Sequence, residues 1–114
     1  MLKLAALLVF TSACITNGPQ IDAASPTTVA RGATVTLTGL RFCQDAGVAA
    51  DGSCAGPVTG TVDIDVDAPI RAETTAWSDT EIKATIPTMA ALGSTDIYLT
   101  SSGRSSNAVE ITIQ

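Results

Sequence analysis

The sequence predicts an all-β domain, an antiparallel β-sandwich of about seven strands. Three observations predict it. Apolar residues recur at every second position in several short runs, which is the period of a strand buried on one face only. Clusters of Ser, Asp, Asn, Gly and Pro separate those runs. Long stretches rich in Glu, Lys, Leu and Arg, which would favour helices, are missing. The chain has 114 residues, enough for one domain.

Strand segments are expected near 20–24 and 27–30, read as halves of one strand broken by Pro26. In ATVTLTG, residues 33–39, Ala33, Val35 and Leu37 face one side and Thr34, Thr36 and Thr38 the other. TVDIDVD, within a strand at 60–67, sets Val62, Ile64 and Val66 against Asp63, Asp65 and Asp67. A strand over 70–77 follows, closed by the turn SDT at 78–80. The strand at 81–86 puts Ile82, Ala84 and Ile86 on one face. The last two, 95–100 and 107–113, carry Ile97 and Leu99, then Val109, Ile111 and Ile113, and SSGRSSN joins them as a hairpin connection. The one short stretch with a hint of helical period is TMAAL.

The first thirteen residues differ from the rest. MLK brings one positive charge, LAALLVF seven apolar residues and TSA a small-residue zone before Cys14. That order is a signal peptide over 1–13, too short for the roughly 20 apolar residues a membrane span needs. LVFTSAC resembles a bacterial lipobox, with Thr11 where Leu is usual. The resemblance implies that Cys14 is acylated and begins the mature chain. Residues 14–19 then form a tether, in which Asn17, Gly18 and Pro19 favour turns. Ile15 follows the cysteine where an inner-membrane-retaining Asp would stand, which favours the outer membrane of a bacterial envelope.

Three cysteines are an odd number for an exported chain. With Cys14 lipidated, Cys43 and Cys54 remain, and an oxidising compartment favours a disulfide between them. It would close the loop QDAGVAADGS, contributing roughly 3 kcal/mol in the chain-entropy model. Zinc is the rival, but two cysteines without histidine are too few ligands for the usual tetrahedral set.

Residues 19–114 resemble an IPT/TIG domain. QIDAASPTTVARGATVTLTGLRF carries that family's opening strand, Ser-Pro turn (Ser25, Pro26), Gly32, alternating strand, Thr38-Gly39 and Phe42. WSDTEIKATIP carries its Ser-Asp-Thr turn and a strand ending at Pro87, and DIYLTSSGRSSNAVEITI its final hairpin with Gly103, Ser106 and Asn107. The resemblance implies an immunoglobulin-like fold over 20–114. Residues 43–58 depart from the pattern as an insertion, and DVDAP stands where a Gly pair is common. Members of the family occur in cell-surface receptors, bacterial surface proteins, accessory domains of carbohydrate-active enzymes and some transcription factors, so the family labels a fold. The motif residues have structural readings. Gly39 permits a bend that ends a strand, Asp79 and Asn107 bond nearby backbone, and Pro87 ends a strand.

Few functional classes survive. No histidine can serve as a base, no Ser-His or Cys-His set can be built, and no Gly-rich phosphate loop leads into a helix, so no enzyme and no cofactor are expected. From Cys14 onward, five basic and eleven acidic residues leave −6, the wrong sign for nucleic acid. Trp77, the sole Trp, reads as core or half-buried edge in preference to a sugar platform. Asp63, Asp65 and Asp67 would project from one strand face about 7 Å apart. Water and salt, pairing with Arg71 or Lys83, or calcium could offset their repulsion. At that spacing they cannot all ligate one ion, so no tight calcium site is expected. The expectation is a non-catalytic, lipid-anchored envelope protein with a binding or structural role, meeting the membrane through its anchor and a protein or glycan partner at the surface. A glycan- or calcium-binding module, or a partner or inhibitor of an exported enzyme, are the alternatives.

Overall fold

A computed structural model describes residues 18–114. The expected signal segment over 1–13, the expected lipid-attachment residue Cys14 and most of the expected tether over 14–19 lie outside the described residues.

The described chain is an immunoglobulin-like β-sandwich. One sheet holds β1 (Gln20–Ser25), β3 (Thr34–Leu40) and β6 (Glu81–Thr85). The other holds β4 (Gly60–Ile64), β7 (Gly93–Ser101), β9 (Val109–Ile113), β2 (Thr28–Val29) and the two-residue β8 (Arg104–Ser105). β5 (Ile70–Trp77) belongs to both. Its first residues pair with β4, Asp63 opposite Arg71, and its later ones with β6, Trp77 opposite Ile82. All pairings are antiparallel except β2 with β9.

The alternating positions build the core. Val35, Leu37, Ile82 and Ala84 from one sheet meet Val62, Ile64, Ile97, Leu99, Ile111 and Ile113 from the other, all fully or nearly fully buried. The threonines between them at 34 and 38 are exposed. Truncating one of these leucines or isoleucines to Ala costs about 2–5 kcal/mol, because the lost transfer energy is compounded by a cavity.

Two expectations need correction. The segments near 20–24 and 27–30 are not halves of one strand. β1 pairs with β3, whereas β2 crosses to the opposite sheet and lies parallel to β9. Pro26, with no N–H to give either ladder, stands where the chain changes sheets. Second, the strand expected over 60–67 ends at Ile64. Asp65 turns into the left-handed region at φ 73°, and its carboxylate accepts the N–H of Asp67. Val66 is therefore 56% exposed, although the alternation runs on through it. TMAAL holds the one turn expected of it, in which the Ala90 N–H bonds the Pro87 carbonyl.

The rolled sheets close where β1 meets the loop before β9. There Asn107 clamps Ile21 across 86 residues: its Oδ1 accepts the Ile21 N–H at 2.8 Å and its Nδ2 donates to the Ile21 carbonyl at 2.9 Å. β1 is irregular at this point, its register skipping Asp22, while Ile21 stays opposite Gly39 and gives its N–H and carbonyl to Asn107. Gly39, opposite Ile21, sits inside β3 and does not end it. A Cβ there would collide with the Gln20 carbonyl, so glycine is required for close approach.

The registers give the domain two distinct ends. Gly18, the segment 41–59, the turn 78–80 and the loop 102–108 gather at one end, the tether end, so called because the expected tether enters there. The segments 26–33, 65–69 and 86–92 gather at the far end. Asn107→Ala is expected to lower stability by about 1–3 kcal/mol, since it strips two partners from the backbone of a buried residue. Urea unfolding checks it, and an unchanged midpoint would show that Asn107 does not hold the seam.

Candidate functional site

The tether end is built on the carbonyl of Phe42. Phe42 is fully buried just past β3, and its oxygen accepts both the Trp77 Nε1–H at 2.8 Å and the Ser101 hydroxyl at 3.0 Å. The ends of β3, β5 and β7 thus meet on one atom. Ser101 is fully buried and polar, and this bond is its reason. Trp77 is half-buried against the core, in agreement with its expected place at a packed edge. Gly60 leaves room for its ring, since a Cβ there would stand 2.7 Å from Trp77 Cη2.

Asp79 acts over a longer range than expected. Its carboxylate accepts the Cys43 N–H at 3.1 Å, and its carbonyl accepts the Phe42 N–H. Ser78 holds the turn instead, accepting the Glu81 N–H on its hydroxyl.

Cys43 and Cys54 form a disulfide, with Cα atoms 5.3 Å apart. The stretch between them, expected as an insertion, has local structure of its own. A 3₁₀ turn at Gln44–Ala46 leads into a narrow hairpin in which Val48 faces Cys54. The Asp79 N–H bonds the Gly52 carbonyl, and Ser53 bridges Ser78, so the insertion is sewn to the turn after β5. Asp51 caps the hairpin tip, accepting the hydroxyl of Ser53 at 2.6 Å and its N–H at 3.0 Å. Those bonds, the hydroxyl's first, hold its carboxyl below the ordinary Asp value of 3.8.

Beside the insertion runs an open groove of about 530 Å³ lined by Gly18, Gln20, Arg41, Arg104 and Asn107. A neighbouring hollow shares both arginines and adds Gln44, Asp45 and Asp79. Three non-glycine residues here have left-handed backbones: Arg41 at φ 61°, Gln44 at 47° and Ser102 at 52°. Such conformations cost side-chain-bearing residues energy and cluster at functional sites. Arg41 Nε donates to the Gly18 carbonyl at 3.1 Å, tying the entering chain to the domain. Arg104 Nη1 reaches Gln44 Oε1 at 3.1 Å and Asp45 Oδ1 at 3.3 Å. The sequence shows these arginines as scattered, because their partners lie 23 to 60 residues away.

The three aspartates do not share a strand face. Asp63 is only 9% exposed, and Arg71 Nε donates to it at 3.1 Å while the Thr61 hydroxyl donates at 3.2 Å. Asp65 and Asp67 belong to the turn after Ile64. Among the described residues, no three acidic or sulfur side chains converge as metal ligands. Tyr98, directly across from Asp63, is the half-buried aromatic on the outer face of its sheet.

The sequence matches no protein-family model and no curated protein. The structure is similar to part of a gamma-CGTase from alkalophilic Bacillus clarkii, with 23% identity, a TM-score of 0.63, and coverage of 84% of this chain and 12% of that one. It is also similar to part of a Bacteroides thetaiotaomicron protein of unknown function, with 12% identity, a TM-score of 0.65, and coverage of 84% and 22%. The chain therefore spans less than a quarter of the length of either, and the likeness is one of fold.

Two outcomes are expected. Removing the Phe42 partners one at a time, as Ser101→Ala and Trp77→Phe, should each cost about 1–3 kcal/mol, and the double variant should depart from additivity because one oxygen serves both. Chemical denaturation of the four proteins reads this; strict additivity would refute the shared acceptor. Asp51 should titrate below 3.8 by carboxyl-detected NMR, and Ser53→Ala should return it toward that value. Because the folded value is depressed, the associated stability is present above the unfolded value and is lost as pH falls through the folded one.

Proposed function

We propose that this chain is the immunoglobulin-like domain of a lipid-anchored protein of the bacterial envelope, in the outer membrane, with a non-catalytic binding or structural role as scaffold, adhesion or accessory module. We take it to be of the IPT/TIG type, on the motifs from Ile21 to Asn107. The observation that carries the reading is the way the chain enters the domain. Gly18 is tied by Arg41 and Pro19 is buried, so only a four-residue step separates the folded body from Cys14 and the lipobox-like run before it. Four residues reach at most about 14 Å. The tether end is thereby kept at the membrane, and the far end, with Val66, Met89 and Leu92 exposed, is turned outward toward partners.

One observation favours a second reading, glycan binding. Tyr98 lies on a sheet face beside the Asp63–Arg71 pair, an aromatic surface flanked by hydrogen-bonding groups. If that face binds sugar, Tyr98→Ala should abolish retention on a glycan array while leaving the unfolding midpoint unchanged; array binding that survives the substitution rejects it.

The leading reading is tested by mass spectrometry of the native protein. The mature chain should begin at Cys14 and carry added acyl mass, and Cys14→Ser should move the protein out of the membrane fraction. A Cys14→Ser protein that stays membrane-bound, or an unmodified Cys14, would falsify the anchor.

A further inference from the structure

The groove at the tether end holds basic donors that the fold leaves unused. Arg41 commits only Nε, to the Gly18 carbonyl, and its two terminal nitrogens take no partner among the described residues. Arg104 commits Nη1 and keeps Nε and Nη2. The neighbouring carboxylates are engaged: Asp45 bonds Arg104, and Asp79 bonds the Cys43 N–H. Both guanidinium groups line the same groove, with Asn107 at its wall. Arg41 holds its position in a backbone conformation that disfavours any residue with a side chain.

We propose that this groove binds the phosphate of a phospholipid headgroup, with Arg41 and Arg104 as the forked donors, so that the domain stands on its tether end against the bilayer that holds its anchor. The proposal rests on lipidation at Cys14. A planar guanidinium presents paired N–H groups that match two phosphate oxygens, which makes arginine the better residue for this ligand. The tether places the groove within about 14 Å of the attachment point, where lipid phosphodiesters are the abundant anions. Tethering also converts binding into an intramolecular step at high effective concentration, so a site too weak to hold free phosphate suffices. The domain's overall negative charge works against long-range attraction to an anionic surface. The site is therefore a local one, made by two side chains and not by a basic face.

The test uses the full lipidated protein in phosphatidylglycerol–phosphatidylcholine nanodiscs. Headgroup protons are saturated, and the arginine Nε–H resonances are read by NMR. Arg31 is the internal control, because its Nε donates to the Ala90 carbonyl at the far end of the domain. The expected result is loss of intensity at Arg41 and Arg104 with none at Arg31. Arg104→Gln, at an exposed position, should keep the unfolding midpoint and diminish the loss at Arg41. Arg41 and Arg104 attenuated no more than Arg31, in a sample whose Cys14 carries acyl mass, overturns the groove and leaves the anchor standing. Absence of that mass overturns the anchor and this proposal with it. If added inorganic phosphate shifts both resonances while headgroup saturation does nothing, the groove is a free-phosphate site and the lipid assignment is wrong. An Arg104→Gln variant with undiminished loss at Arg41 rejects the paired-donor site.

Discussion

A buried carbonyl oxygen has two lone pairs and a cost of a few kcal/mol if neither is used. The Phe42 oxygen uses both, on Trp77 and Ser101. Much of the tether end follows from that. The bond to Trp77 draws the only indole inward and fixes the end of β5, and the bond to Ser101 fixes the end of β7. Phe42 itself plugs the core. With these three strands held together, the next residue, Cys43, enters the insertion at a set position. The disulfide and the bonds from Asp79 then fold the insertion back over the same end.

The opposite side of the sandwich depends on a different device. Two sheets linked through β5 would leave β1 as an open edge next to β9, and an open edge exposes unpaired backbone groups. Asn107 supplies both a donor and an acceptor to Ile21, beside the irregularity in β1. Gly39 permits the approach this requires. The seam and the Phe42 junction are neighbours at the tether end, so the elements that close the fold also wall the groove of Arg41 and Arg104. The far end has turns and exposed apolar side chains, and it is joined by backbone bonds between the 30–33 and 86–90 segments and by the Arg31 Nε bond to the Ala90 carbonyl. The two ends of the molecule thus differ in what they present, an arginine-lined groove at one and exposed apolar side chains at the other.

Legibility varied with the range of the interaction. Strand cores were readable because alternation is a local property: Val35 and Leu37, or Ile111 and Ile113, face inward as their spacing requires. The same rule misled at TVDIDVD, where the pattern continues past Ile64 but the strand does not. Periodicity cannot register that Asp65 and Asp67 close a turn on one another. Of the ways to offset the three aspartates, pairing with Arg71 applies to Asp63 alone. The disulfide was legible by counting, since a cysteine claimed by a lipobox-like motif leaves two. The groove was not, because Gly18, Arg41 and Arg104 are far apart in the chain and ordinary in isolation.

By itself the sequence determined the fold class, most strand positions and the pairing of Cys43 with Cys54. Each is a matter of residue type and near-neighbour spacing. Only the tertiary structure decided that β1 and β2 lie in different sheets, that Ser101 is a buried donor, that Asp79 and Asn107 act across the chain, and that two arginines face one groove. Those outcomes depend on which backbone groups are left unpaired when two sheets close on each other. That is a property of the assembled whole, and no local pattern of side chains encodes it.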